Sequence, residues 1–226
     1  MIAEVYAALV AGDGRVATTC EPVAGGVRLR MPELPAIRDY NALVLAPGVD
    51  LAAVIELVAR DQEVRRVIAF DPAGELALES WSRDTVMAMG LSRPEPFAWP
   101  DDVAEVDVDA LRDARAEAEY FQGVPASEME QLRALQDLQA EVARLVAVRR
   151  DGRPLAWAQV LAGIIDDVYV MPEARGKGLG RAVMAGALAA GGRWLVVDDN
   201  NAPAVGLYES LGFVEAGTVV QLTRSG

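Results

Sequence analysis

The stretch that most constrains this chain reads Asp166-Asp-Val-Tyr-Val-Met-Pro-Glu-Ala-Arg-Gly-Lys-Gly-Leu-Gly-Arg181. Val168, Tyr169 and Val170 are β-branched or aromatic and favour a strand. Pro172 ends it, because proline has no N–H to give to a ladder. Gly176, Gly178 and Gly180 then lead into an alanine-rich segment, residues 182–190, that reads as a helix. Glycines at such a turn let the backbone approach a ligand closely. The first turn of the helix adds unpaired N–H donors and a positive dipole end. Arg175, Lys177 and Arg181 bring three cations to the same place, in a chain of net charge −13. The stretch is therefore built to hold phosphates.

Two common phosphate loops do not fit. A P-loop needs Lys followed by Ser or Thr, whereas Lys177 precedes Gly178. A dinucleotide fingerprint starting at Gly178 and Gly180 would need a third glycine where Val183 stands.

The pattern that does fit is Arg-x-x-Gly-x-Gly, as Arg175, Gly178 and Gly180, directly after a strand. It resembles the coenzyme A loop of the GNAT acyl-CoA-dependent N-acyltransferases. A second segment, Asn201 to Phe213 with Leu207-Tyr208 and Leu211-Gly212-Phe213, is similar to that family's next motif and follows another strand at 194–197. The resemblance implies that residues 175–181, including Leu179, bind the pyrophosphate of acetyl-CoA. It implies that Val168, Tyr169 and Val170 pair with the pantetheine arm, with one of their N–H groups serving as an oxyanion donor. Asn201 would contact the pantetheine region, and can also cap the helix that follows. Tyr208 matches the family's general acid: a phenol near pKa 10 is protonated at neutral pH and can donate to a leaving thiolate. For the base, Asp166 and Asp167 both precede the strand. Neighbouring strand residues face opposite sides, so one of them would reach the site, and Asp167 is the choice. Asp198 and Asp199 are rivals for that role.

Composition narrows the alternatives. With no histidine, Ser-His-Asp and Cys-His catalysis and histidine metal sites are excluded, and no metal is expected. Cys20 is the single cysteine, so no internal disulfide can form; it reads as a buried small residue or a bystander. The acidic balance argues against nucleic acid and is compatible with a cationic amine acceptor. The N-terminus lacks the basic start of a signal peptide, and no apolar run approaches a membrane span, so a cytoplasmic location and no membrane partner are expected. Nothing in the sequence fixes oligomeric state, and a homodimer is compatible with it.

In order along the chain, a short helix over 4–11 is expected to break at Gly12-Asp13-Gly14. Strands follow near 27–30, 41–45 and 64–70, with a helix over 51–60 capped by Asp50. A turn at 71–74, a returning strand over 76–81 and a strand or short helix over 85–91 come next. The proline-dense segment 93–100 reads as a linker. Beyond it lie a strand over 103–108, a helix capped by Asp109 and running to 121, and a Ser127-x-x-Glu130 capping box opening another helix. Strands over 144–148 and 155–161 join through Asp151-Gly152. After Phe213, Gly217 is the visible break, leaving open one bent strand or two.

The expected fold is α/β of the α+β kind: a GNAT domain over 102–226, with a mixed, mostly antiparallel sheet flanked by helices. It is preceded by a smaller α/β domain over 1–98. The segment 34–41 resembles the first half of tandem bacterial GNAT-like proteins, and this half carries neither GNAT motif. The expected function is N-acetyl transfer from acetyl-CoA to an amine of a small molecule or protein. A non-catalytic acyl-CoA sensor is the alternative, which the retention of Tyr208 disfavours.

Overall fold

A computed structural model describes residues 1–49, 51–72, 78, 80–93 and 97–224. The Asp50 cap, the segments 73–77 and 79 of the expected turn and returning strand, and 94–96 of the linker lie outside the described residues. The elements in chain order are α1 (Ile2–Val16), β1 (Thr19–Val23), β2 (Gly26–Arg30), β3 (Ala42–Leu45), α2 (Leu51–Arg60), β4 (Arg66–Phe70) and β5 (Trp81–Leu91). Then follow β6 (Val103–Val106), α3 (Val108–Glu117), α4 (Ala126–Ala140), β7 (Arg144–Arg150), β8 (Arg153–Leu161) and β9 (Ile164–Val170). The chain ends with α5 (Leu179–Ala189), β10 (Trp194–Val197), α6 (Ala202–Glu209) and β11 (Phe213–Arg224).

All these strands join one sheet, in the order β1-β2-β3-β4-β11-β5-β10-β9-β8-β7-β6. Adjacent strands are antiparallel except β3–β4 and β9–β10. The two halves of the chain are interleaved in it. β5, from the first half, lies between β10 and β11, and β11 pairs on its other side with β4.

Local chemistry explains most elements. Asp151 and Gly152 both have positive φ (50° and 81°), the conformation of a tight β7–β8 hairpin. Cap positions differ from expectation. Asp107, not Asp109, caps α3, its carboxylate accepting from the Ala110 N–H. That helix stops at Glu117, and a 3₁₀ turn, Glu119–Phe121, continues the segment. α4 begins one residue before Ser127, with Pro125 at the cap position and no side-chain cap, so the expected capping box does not form. β11 is a single strand, kinked by a bulge between Glu215 and Gly217.

The expected break at Gly12-Asp13-Gly14 is absent: α1 runs through it to Val16. The glycines serve packing instead. A Cβ on Gly12 would stand 2.9 Å from the Leu161 side chain of β8, and one on Gly14 3.3 Å from Cys20 Sγ. Cys20 itself is exposed rather than buried.

The largest core cluster lies among α3, α5 and β7–β10 and includes the fully buried Trp157. A smaller one packs α2 on β3 and β4. Val16, Tyr40, Leu135 and Leu161 form a further cluster that ties α1 and the 31–40 segment to α4 and β8, so both halves of the chain share a core. Among the described residues, no helix is long and apolar enough to cross a membrane, and no group of three metal-ligating side chains occurs.

Candidate active site

The glycine loop lies between β9 and α5, as expected. A 3₁₀ turn, Pro172–Ala174, closes the strand, and Gly176 and Gly178 take positive φ of 73° and 80°. Gly178 is the N-cap residue of α5, and no side chain caps that helix. A Cβ at Gly176 or Gly178 would meet nothing within 4 Å, so the space beside the loop is open. Uncapped N–H donors and the positive end of the dipole face that space. The residues present fit a diphosphate.

The three cations are less free than their spacing suggests. Arg175 pairs with Glu119 at 2.6 Å, donates to the Val170 carbonyl at 3.2 Å and lies over the Tyr169 ring at 5.7 Å. Arg181 donates to Ser210 Oγ at 2.6 Å. Lys177 donates to the Glu173 carbonyl at 2.8 Å. That carbonyl is neutral, and among the described residues Lys177 makes no ion pair.

β9 and β10 share a single ladder pair, Ile164–Trp194, and then diverge. The β10-facing backbone of Val168, Tyr169 and Val170 therefore borders an opening, while its other side pairs with β8. Within β9, the register against β8 slips between Trp157–Tyr169 and Gln159–Asp166, and Asp167 has a φ of +49°. This is a β-bulge, and it breaks the alternation that would send adjacent residues to opposite faces. Both Asp166 and Asp167 border the same cavity, contrary to the expectation that only one could.

Their environments differ. Asp167 pairs with Arg115 of α3 at 2.7 Å, and Arg115 is 2% exposed. Asp166 has a solvent-accessible side chain that borders this cavity. Desolvation by the protein around it raises its pKa above the ordinary carboxylate value.

Tyr208 of α6 is buried and packs beside Phe213, ring centroids 6.1 Å apart. Burial first, and then the charge of Asp166, push its phenol up to about 12. Asn201 caps α6, its side chain accepting from the Ala204 N–H at 3.3 Å.

The first half of the chain, which the sequence suggests is structural or substrate-shaping, contributes a wall whose residues the sequence did not single out. The cavity beside Asp166 has a volume of about 530 Å³, and α1, the 39–40 segment, β4, α3 and α4 all reach it. Asp13 of α1 accepts from the Tyr40 hydroxyl at 3.1 Å, and Gln139 of α4 donates to the same hydroxyl at 3.2 Å. Burial drives Asp13 up to about 7; the Tyr40 bond opposes this, and the charges of Asp39 and Asp166 add to it. Nearby, Arg66 pairs with Asp39 and donates to Gln221. Arg115 alone of these left a sequence signal: it shares a helical stripe with Leu111 and Ala118, an arginine on a buried face.

The profile of the Acetyltransferase (GNAT) family matches residues 108–213, which include the loop, the splayed strands and Tyr208. A phosphinothricin N-acetyltransferase from Alcaligenes faecalis is 30% identical over 136 residues, 53% of this chain and 68% of that one. The chain belongs to the GNAT acetyltransferase family. A streptothricin acetyltransferase from Streptomyces lavendulae is 43% identical over 68 residues, a match spanning 27% of this chain and 35% of that protein. Among solved structures, a GCN5-related N-acetyltransferase from Kribbella flavida superposes with a TM-score of 0.66 at 19% identity, covering 100% of this chain and 96% of that one. That likeness extends the shared fold to the first half of this GNAT chain.

Proposed function

We propose that the protein transfers an acetyl group from acetyl-CoA to an amine by direct attack, in the opening between β9 and β10. The observation that carries the reading is the uncapped helix end after β9, with open space beside Gly176 and Gly178, in a chain that also buries a phenol whose pKa the charge of Asp166 helps to raise. The main-chain amides from Gly176 to Arg181 would hold the diphosphate, with Lys177 the cation nearest to hand. Val168, Tyr169 and Val170 would pair with the pantetheine arm, as a peptide adds to a strand edge. Asn201 would border that arm beyond its capping role. Acetyl-CoA supplies the activated acyl group.

The protein's own groups then handle protons. Asp166 accepts a proton from the amine as the nitrogen–carbon bond forms. Tyr208 donates one to sulfur as the carbon–sulfur bond breaks, and a pKa of about 12 keeps it protonated until that moment. Asp167, the base expected from the sequence, is held by Arg115. A cytoplasmic location and a homodimer belong to the same proposal. The relatives named for phosphinothricin and streptothricin support a small amine-bearing acceptor. Thiol release from acetyl-CoA over an amine panel tests the reading. Tyr208→Phe is expected to lower kcat by about 10²-fold or more, the scale of a lost general acid, with acetyl-CoA affinity unchanged. Full turnover in the variant would remove Tyr208 from the chemistry.

A further inference from the structure

The bulge of β9 is gripped from outside the strand. Asp167, within it, sits at a φ of +49°, a conformation uncommon for a residue with a side chain and kept where the surroundings hold it. The group that reaches it is Arg115 of α3, whose Nε and Nη2 donate to Asp167 Oδ2 at 2.9 and 2.7 Å. The same Nη2 donates to Gln159 Oε1 at 3.4 Å. Gln159 stands on β8 opposite Asp166 in the ladder. One guanidinium thus spans the irregularity, with Asp167 of β9 at one side and the ladder partner of Asp166 at the other. Arg115 and Gln159 are each 2% exposed, so water competes little for these bonds. Stability alone does not call for such a pair, because apolar residues of similar volume often fill a buried place as well. The bulge does have a consequence for chemistry. In a regular strand Asp166 and Asp167 would face opposite sides of the sheet, whereas here both border the cavity.

We propose that Arg115 is a positioning residue for acetyl transfer: by tying Asp167 to Gln159 it holds the bulge of β9 in the form that turns the Asp166 carboxylate toward the acceptor amine. This deepens the acetyl-transfer reading and rests on Asp166 being the proton acceptor. It gives Asp167 the task of anchoring the bulge in place of proton transfer. Lysine at position 115 would keep the charge but replace a planar edge of donors with a single point, so it holds the two partners less firmly. Methionine would keep much of the volume and remove the cation.

Steady-state kinetics with acetyl-CoA and the amine of the panel that turns over fastest test this, with a thermal melt of every variant. Arg115→Met is expected to lower kcat by about tenfold to a hundredfold, the scale of a misaimed group, with the KM for acetyl-CoA unchanged. Arg115→Lys is expected to fall between that variant and the wild type. Asp167→Asn tolerates the same backbone conformation and keeps an oxygen for Arg115. It is expected to lose at most a few-fold in kcat, against about a hundredfold for Asp166→Asn. Arg115→Met combined with Asp167→Asn removes both charges. That double variant is expected to melt above Arg115→Met and still be as slow. Should Arg115→Met alone not fold, comparing the double variant with Asp167→Asn reads the same loss. Wild-type kcat in folded Arg115→Met would overturn the proposal. So would a double variant that recovers rate together with stability, because the pair would then serve stability alone. A loss in Asp167→Asn as deep as in Asp166→Asn would overturn it by making Asp167 the base. Wild-type kcat in Asp166→Asn would instead remove the base reading, and the proposal with it.

Discussion

Asp13→Asn should make the protein more stable, and more so at higher pH. In the folded chain burial holds the Asp13 carboxyl at about 7, against an ordinary 3.8. The charged groups around it are Asp39 and Asp166, both repelling, while Tyr40 donates to it. A carboxyl whose folded pKa is raised holds its proton where the unfolded chain has already lost it. Stability therefore falls as pH rises from about 4 to about 7, and stays at its reduced level above that. The shift is about three units, and each unit is worth 1.36 kcal/mol, giving roughly 4 kcal/mol in the limit. Replacing a charge-assisted bond from Tyr40 with a neutral one gives back about 1 kcal/mol. Asparagine should thus gain roughly 3 kcal/mol at about pH 8.5. At about pH 5.5, where roughly half the linkage has developed, the gain should be correspondingly smaller. Reversible urea unfolding of both proteins at the two pH values measures this. A gain that does not change with pH, or a loss at the higher pH, would refute the claim that Asp13 is held at an energetic cost in the cavity.

Two other perturbations follow from the interleaved sheet. Residues 102–226 expressed alone lack β5, which fills the place between β10 and β11, so they should aggregate rather than give a soluble, cooperatively unfolding domain in circular dichroism. Gly217 has a φ of +154°, and a Cβ there would stand 2.6 Å from Asp71 Oδ2 and 2.7 Å from Asp71 Oδ1, the oxygen that accepts from the Thr218 N–H. Gly217→Ala should cost about 1–3 kcal/mol in urea unfolding, and an unchanged midpoint would mean that the bulge is not strained.

The motif-bearing segment could be read from the sequence because its determinants are local. A strand-forming triplet, Pro172, and glycines whose positive φ the backbone needs lie within a short span, and each limits its neighbours. The Asn201 cap and the helix bearing Tyr208 were visible for the same reason. The acceptor cavity was not, because it is assembled from α1, the 39–40 segment, α3, α4 and the splayed strands, which meet only through long-range pairing. The bulge at Asp167 carries no glycine or proline to announce it, so strict alternation was the natural expectation and it failed. Gly12 misled in the opposite direction: a residue that usually interrupts a helix here admits Leu161 against it. The placement of β5 between two strands of the other half has no local signature at all.

Titration of acetyl-CoA into the pure protein, beside a Gly178→Val variant, addresses the central claim most directly. The wild type should bind one equivalent. The variant puts a branched side chain where Gly178 now leaves open space and the helix end is exposed, and strains a loop residue whose φ is 80°; it should lose most of that affinity while keeping its circular dichroism spectrum. No heat of binding from the folded wild type, or equal binding by both, would contradict it.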